Sequence, residues 1–287
     1  MQDLAAIEDN IKDNVAAAIA EDVGSGDITA CLVDAQQQAR AIVITREAGV
    51  FCGRPWAEEA CRQIDSAITM QWLVDEGSRV EADQQLLTLE GPTRSLLTVE
   101  RTVLNFLQLL SGTATATNRY LQLIEGTDCK LLDTRKTIPG LRVAQKYAVR
   151  SAGGSNHRMG LFDAFLIKEN HLNAAGSIAN AVKQAQAILP GKPVEVEVET
   201  LDQLAAAIAA GAEIALIDNF DLALTVQAVA LAAGNIKLEA SGGVNENTIT
   251  DIARTGVDYV SVGNLTKEVK PLDLSMQLQS EICKNDG

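Results

Sequence analysis

Arg135 and Lys136 stand side by side in DTRKTIPGLR (133–142), and His157 and Arg158 do the same in GGSNHRMG (153–160). From Lys130 to Lys168 the chain gathers eight of its 24 Lys and Arg residues, opposed only by Asp133 and Asp163. Arg offers a planar fork of donors and Lys a point charge, so such a set can hold carboxylate or phosphate. The whole chain has a formal net charge of -14. A chain so acidic has no general attraction for nucleic acid or an anionic membrane, so an anion site must be built locally. Arg142, Lys146 and Arg150 also have the i, i+4 spacing of one solvated helix face.

Acids follow. PVEVEVE carries Glu195, Glu197 and Glu199, and LIDNF carries Asp218 and Asn219. Alternating Glu could mark a strand with one solvated face. In a barrel strand, covered by helices outside, the same residues would point into the mouth and hold a metal or stabilise a cation. Two carboxylates with no Cys/His cluster favour Mg²⁺ over zinc. LEASGGV brings Ser241, Gly242 and Gly243, and SVGNLT brings Gly263 and Asn264. Small residues there let backbone N–H groups approach a phosphate, although SGG alone is also a common turn. No GxGxxG, GxxxxGK[ST] or Ser-His-Asp order is present.

The elements that must position these residues are legible as short apolar runs. KLLDT, DAFLIK, PVEVEVE, EIALIDN, IKLEASGG and DYVSVGN read as six strands separated by helical segments, which means a parallel sheet built from βαβ units. Thr200 with Gln203 forms a capping box, Asp221 caps the next helix, and Gly211, Gly234 and Gly256 act as stops. The charged residues fall at the C-terminal ends of those strands, where α/β barrels keep their reactive groups. The first third differs: a helix over 4–20, strands within 39–50, 67–74 and 85–89, and a buried helix over 96–110 ending near Gly112, with Arg101 as its polar interruption. GSRVEADQQLLTL resembles a carrier-domain hairpin but has no Lys to modify, so a plain sheet is the better reading. The expected architecture is an incomplete TIM-like α/β barrel over 113–272 behind an N-terminal α+β sandwich domain over 1–112. A helix over 273–287 is expected to pack on the latter.

Apolar residues make up 47% and aromatics only 3%, which suits an aliphatic core between helices and a parallel sheet. Five scattered cysteines without CxxC read as free thiols of a reducing compartment. MQDLAAIEDNIKDN lacks the marks of a signal peptide, and no apolar run is long enough to span a bilayer, so a cytoplasmic location is expected.

DTRKTIPGLR, KYAVRSAGGSNHRMGLFDAFLIKENH, EVEVE, LIDNF, LEASGGV and SVGNLT together resemble the quinolinate phosphoribosyltransferases, and EDVGSGDITA, REAGVFCG and GPTRSLLTVERTVLNFLQLLSGTAT extend the resemblance over nearly the whole chain. The resemblance implies transfer of phosphoribose from phosphoribosyl pyrophosphate to quinolinate with loss of CO₂, giving nicotinate mononucleotide in NAD biosynthesis. It implies Mg²⁺, held by Glu197 and Asp218, and no organic cofactor. It places quinolinate's carboxylates on Arg135, Lys136, His157 and Arg158, with Lys168 beside them. It places Glu197 and Asp218 at the ribose, and the 5-phosphate on Ser241, Gly242, Gly243, Gly263 and Asn264. Lys136, Lys168, Glu197 and Asp218 would carry the catalysis. It further implies a homodimer, with a hexamer as the larger alternative, in which Arg101 reaches the partner's site. Lys267 stands where the family usually has His, which keeps a cation at the phosphate but removes titration near neutrality. A nicotinate phosphoribosyltransferase, a molybdenum-transport-associated paralogue or a silent phosphosugar-binding subunit are the alternatives. The density of cations favours the dicarboxylate.

Overall fold

The computed structural model describes residues 7–279. In chain order the main elements are α1 (Glu8–Asp22), β1 (Gln38–Thr45), β2 (Gly49–Val50), α2 (Arg54–Ile64), β3 (Thr69–Trp72), β4 (Arg79–Val80), β5 (Gln85–Pro92), α3 (Thr93–Leu123), β6 (Lys130–Leu132), α4 (Arg142–Ser151), β7 (Phe165–Ile167), α5 (Glu169–Ala175), α6 (Ile178–Ile188), β8 (Val194–Val198), α7 (Leu201–Ala210), β9 (Ile214–Asp218), α8 (Leu222–Ala232), β10 (Lys237–Ser241), α9 (Ile249–Arg254), β11 (Tyr259–Ser261), α10 (Asn264–Lys267) and β12 (Leu274–Gln279). They form two compact units. Among the described residues, one comprises those up to Asn118, Ile138–Gly153 and those from Glu268 to Gln279; the other comprises Arg119–Thr137 and Gly154–Lys267. The chain thus passes between units after residues 118, 137, 153 and 267.

The first unit is built on an antiparallel sheet in the order β12-β1-β5-β3. Ala41 and Val43 of β1 alternate inward, and Leu87 and Leu89 of β5 meet them. On α3, Leu96, Val99, Val103, Leu107 and Leu110 recur at three- and four-residue spacing, so one stripe of the helix closes this core. Trp56 of α2 is fully buried, with its ring 5.2 Å from that of Tyr147 on α4. Ala144 and Ala148 bring α4 into the same core.

Three expectations change here. The helix does not stop at Gly112 but runs on to Leu123. A Cβ at Gly112 would lie 2.3 Å from the Lys270 carbonyl oxygen, so this glycine permits a close backbone approach and does not end the helix. Gly112→Ala is expected to lower stability by about 1–3 kcal/mol through forced repacking; an unchanged denaturation midpoint would refute the role assigned to it. The helix expected from 273 is, over Leu274–Gln279, the strand β12, antiparallel to β1 with Arg40 opposite Gln279 and Thr45 opposite Leu274. Leu274, Met276 and Leu278 alternate with polar residues, the pattern of a strand. Residues 280–287 of that expectation, Leu4 and Cys283 lie outside the described residues. Finally, Lys146 is fully buried and so is not part of a solvated face, because α4 is enclosed on most of its circumference; Arg150 is exposed.

The second unit is a six-stranded, all-parallel sheet in the order β6-β11-β10-β9-β8-β7. β6 and β7 are its edges, so the barrel is not closed. All six strands are the apolar runs read from the sequence. Val194, Val196 and Val198 occupy one face of β8, and Ala215 and Ile217 the matching face of β9; all are buried. The opposite face is polar. Glu197, Leu216 and Glu239 stand in one register row, and Asp218 and Ser241 form the next row toward the strand ends. Thr200 and Asp221 cap α7 and α8 as expected, each accepting a backbone N–H three residues on. Such caps fix where each helix departs from its strand, and therefore where each strand end points. Among the described residues no helix is long and apolar enough to cross a membrane, and Cys31, Cys52, Cys61 and Cys129 are free thiols.

Candidate active site

The ends of β9, β10 and β11 shape a small cavity. Asp218 ends β9 opposite Ser241, and the chain then turns through Asn219 with φ of 57°. The Asn219 backbone N–H donates to the Ser241 carbonyl at 3.0 Å, and its side-chain amide donates to Asp218 Oδ2 at 2.9 Å. Asn219 therefore fixes a carboxylate and the start of the SGG turn together. Gly242 has φ of +88°, and a Cβ on it would lie 2.1 Å from Asn219 Oδ1. The resulting cavity, of about 250 Å³, is lined by Ser241, Gly242, Gly243, Gly263 and Asn264, with Lys136 and Lys267 as its cations. Every residue expected around the 5-phosphate is brought to this one place. Lys136, expected among the pyridine carboxylate ligands, lines the same cavity and lies against Gly263. Its carbonyl accepts the Thr266 hydroxyl at 2.8 Å, which ties the RK segment to α10.

A second group of residues hangs on two acids. Asp133 is fully buried just after β6; it accepts the His157 backbone N–H at 2.9 Å and the Asn156 amide. Asp163 accepts the backbone N–H groups of Met159 and Gly160 at 2.6 and 3.0 Å. The loop carrying His157 and Arg158 is thereby folded back over the strand ends. Arg158 is half-buried, and burial followed by the neighbouring Arg135 guanidinium presses its pKa downward. The Glu195 and Asp163 carboxylates act on Arg158 in the opposite direction. Lys168, just after β7, forms an ion pair with Glu197 of β8. Glu199 is exposed, its backbone N–H held by the Gln203 side chain at 2.7 Å.

Glu195 and Glu239, both almost wholly buried, read in the sequence only as strand acids, with no role of their own. His157 Nε2 lies 3.0 Å from Glu195 Oε2 and 3.4 Å from Glu239 Oε2. The Arg158 backbone N–H donates to His157 Nδ1 at 2.7 Å. Burial disfavours the charged imidazole, hydrogen bonds to the two carboxylates favour it, and that balance alone would raise it to about 10. Two N–H groups cannot face each other at 2.7 Å, however, so Nδ1 is bare and the ring proton is on Nε2. The carboxylate pair is the alternative seat for a second proton, since burial and the nearby Glu239 raise Glu195. Only pairing across strands separates Glu195 from Glu197; within EVEVE they look alike.

Glu197 and Asp218, the residues expected to hold Mg²⁺, offer oxygen donors only, which suits that ion. Glu197 Oε2 takes the Lys168 ammonium and Asp218 Oδ2 the Asn219 amide. The pair thus fits a largely hydrated ion better than one ligated wholly by protein. Arg101 is exposed on α3 and belongs to the first unit; the residues above belong to the second.

An open parallel α/β barrel with a small-residue cradle and clustered cations at its strand ends, joined in one chain to an antiparallel-sheet domain, defines a phosphoribosyltransferase of the two-domain type. The chain belongs to the quinolinate phosphoribosyltransferase family. The family's C-terminal domain matches residues 113–277 and its N-terminal domain residues 27–111. A probable nicotinate-nucleotide pyrophosphorylase (carboxylating) of Bacillus subtilis is 40% identical over 259 residues, 90% of each chain. The nicotinate-nucleotide pyrophosphorylase (carboxylating) of Mycobacterium leprae is 41% identical over 280 residues, covering 94% of this chain and 98% of that one. The solved nicotinate-nucleotide pyrophosphorylase of Francisella tularensis superposes with a TM-score of 0.91 at 50% identity, over 95% of this chain and 97% of that one.

Proposed function

We propose that this protein transfers the phosphoribosyl group of phosphoribosyl pyrophosphate to the ring nitrogen of quinolinate and releases pyrophosphate, CO₂ and nicotinate mononucleotide. The observation that carries this reading is the cavity lined by Ser241, Gly242, Gly243, Gly263, Lys136 and Lys267, in the same unit as Arg135 and Arg158. A dicarboxylate offers one carboxylate to each guanidinium, and a monocarboxylate offers one to the pair. The Ser241–Gly243 turn, Gly263 and Lys267 take the 5-phosphate. Asp218 and Glu197 face the ribose, where the C1–O bond to pyrophosphate breaks with its electron pair on the leaving group. Their negative charge stabilises the oxocarbenium-like centre. The chemistry Mg²⁺ supplies when bound near this pair is neutralisation of the diphosphate. The ring nitrogen's lone pair then forms the new N–C1 bond and the ring becomes cationic. The adjacent carboxylate leaves as CO₂, its bonding pair stays on the ring carbon under that positive charge, and a proton from water replaces it. Lys168 beside the ring adds positive charge at that stage.

Quinolinate, phosphoribosyl pyrophosphate and Mg²⁺ incubated with the protein are expected to give nicotinate mononucleotide, CO₂ and pyrophosphate in equal amounts. Turnover of nicotinate but not quinolinate would overturn the assignment in favour of the monocarboxylate. The free thiols fit a cytoplasmic setting. We also propose a homodimer in which Arg101 completes the partner's site. Arg101→Ala and Lys136→Ala chains are each expected to be nearly inactive alone, and their mixture to regain about a quarter of wild-type activity by random pairing. A mixture that regains none would show that sites are not shared.

A further inference from the structure

Both ring nitrogens of His157 are already engaged inside the protein. Nε2 faces Glu195 and Glu239, Nδ1 receives the Arg158 backbone N–H, and the side chain is only 12% exposed. We infer that His157 does not touch quinolinate but is a positioning residue, through which the buried Glu195 and Glu239 set the direction of Arg158. This rests on the dicarboxylate reading above for its substrate, though the hydrogen bonds themselves do not depend on it.

Three observations converge on this role. First, the remaining oxygens, Glu195 Oε1 and Glu239 Oε1, are buried without a hydrogen-bond partner. Apart from the contact between the two carboxyl groups themselves, their hydrogen bonding is directed at His157. Burying two acids is costly, and a structure that tolerates it for one imidazole is using it to fix that ring. Second, the His157 backbone is independently held by Asp133 at 2.9 Å, so the ring is pinned at both ends. Third, the bond from the Arg158 N–H to Nδ1 joins consecutive residues. Turning the ring must therefore turn the peptide that leads into Arg158. The line of support runs from β8 and β10, through the imidazole, to the guanidinium that faces the substrate. Its logic is that of a carboxylate orienting a histidine, with an arginine in the place of a metal.

The chain contains two histidines, so nitrogen-15 histidine labelling of the full protein gives two rings, and His171→Gln assigns them. His157 is expected to show a protonated Nε2 and a bare Nδ1, unchanged on adding phthalate as an unreactive dicarboxylate probe. Glu195→Ala with Glu239→Ala is expected to mix the tautomers and raise the KM for quinolinate about tenfold, with the KM for phosphoribosyl pyrophosphate within about twofold. Should that double variant not fold, Glu239→Gln alone is expected to shift the same two readouts in the same direction. His157→Ala should raise the quinolinate KM at least as much. His157→Asn, whose amide oxygen can take the place of Nδ1, should recover most of the loss. A ring that gains or exchanges a proton when phthalate binds would overturn the inference. So would folded Glu195 and Glu239 variants with an unchanged quinolinate KM, or an Asn variant no better than Ala. An enzyme that turned over only nicotinate would refute the substrate assignment and leave the tautomer result standing.

Discussion

Gly242→Ala is expected to lower kcat/KM for phosphoribosyl pyrophosphate by about 100-fold, from left-handed strain plus overpacking. The glycine sits at φ of +88°, and its new methyl would meet Asn219 Oδ1 at 2.1 Å and the Asn219 backbone nitrogen at 2.8 Å. Neither neighbour can yield alone. The nitrogen is bonded to the Ser241 carbonyl, and the Asn219 amide is bonded to Asp218. Relief of the clash therefore displaces the SGG turn and the Asp218 carboxylate together, away from where the proposed function puts the 5-phosphate and C1. Steady-state kinetics on folded protein should show a raised KM for phosphoribosyl pyrophosphate accompanied by a lower kcat. A variant with wild-type values for both would mean that the turn does not form the phosphate site.

Lys136→Ala is expected to cut kcat by about 100-fold or more, the usual consequence of removing one oriented donor from developing charge. The side chain lies in the cradle against Gly263, with its carbonyl anchored by Thr266. That setting predicts that the loss appears in the steps that involve phosphoribosyl pyrophosphate. Quinolinate binding, followed by fluorescence or calorimetry, should weaken far less in Lys136→Ala than in Arg158→Ala. The reverse order would return Lys136 to the pyridine carboxylates, where the family resemblance had placed it. Lys136→Arg should recover little, because a planar guanidinium does not fit where a compact ammonium approaches a glycine.

How far the sequence carried these conclusions depended on how local each signal was. The six parallel strands were visible because each is a short apolar run between helix signals, and Thr200 and Asp221 announced their helices within four residues. The cradle was visible for the same reason: Ser241-Gly242-Gly243 and Gly263-Asn264 are contiguous small residues at strand ends. Gly112 was misread because a glycine after an apolar helix signals either a stop or a close approach. Only Lys270, 158 positions later, decides which. The strand over Leu274–Gln279 was missed although Leu274, Met276 and Leu278 alternate, since its partner β1 is distant in sequence. Glu195 and Glu239 were not distinguished from other strand acids because their meaning lies in a histidine between them. Lys146 looked solvated from its i, i+4 neighbours, and its burial follows from packing that α4 alone does not announce.

The pairing of β12 with β1 also bears on the order in which the protein can be assembled. β1 occupies Gln38–Thr45, and the strand that covers its outer edge is Leu274–Gln279. During synthesis every strand of the parallel sheet leaves the ribosome before that edge can be closed. Until then β1 presents unpaired N–H and C=O groups, the template on which sheets recruit foreign strands. Closing it is a contact of high sequence separation, which slows folding and lengthens exposure to aggregation. A fragment that ends at residue 111, where the N-terminal family domain ends, would keep that edge open for good. The two domains recognised in the sequence are therefore not two independent folding units.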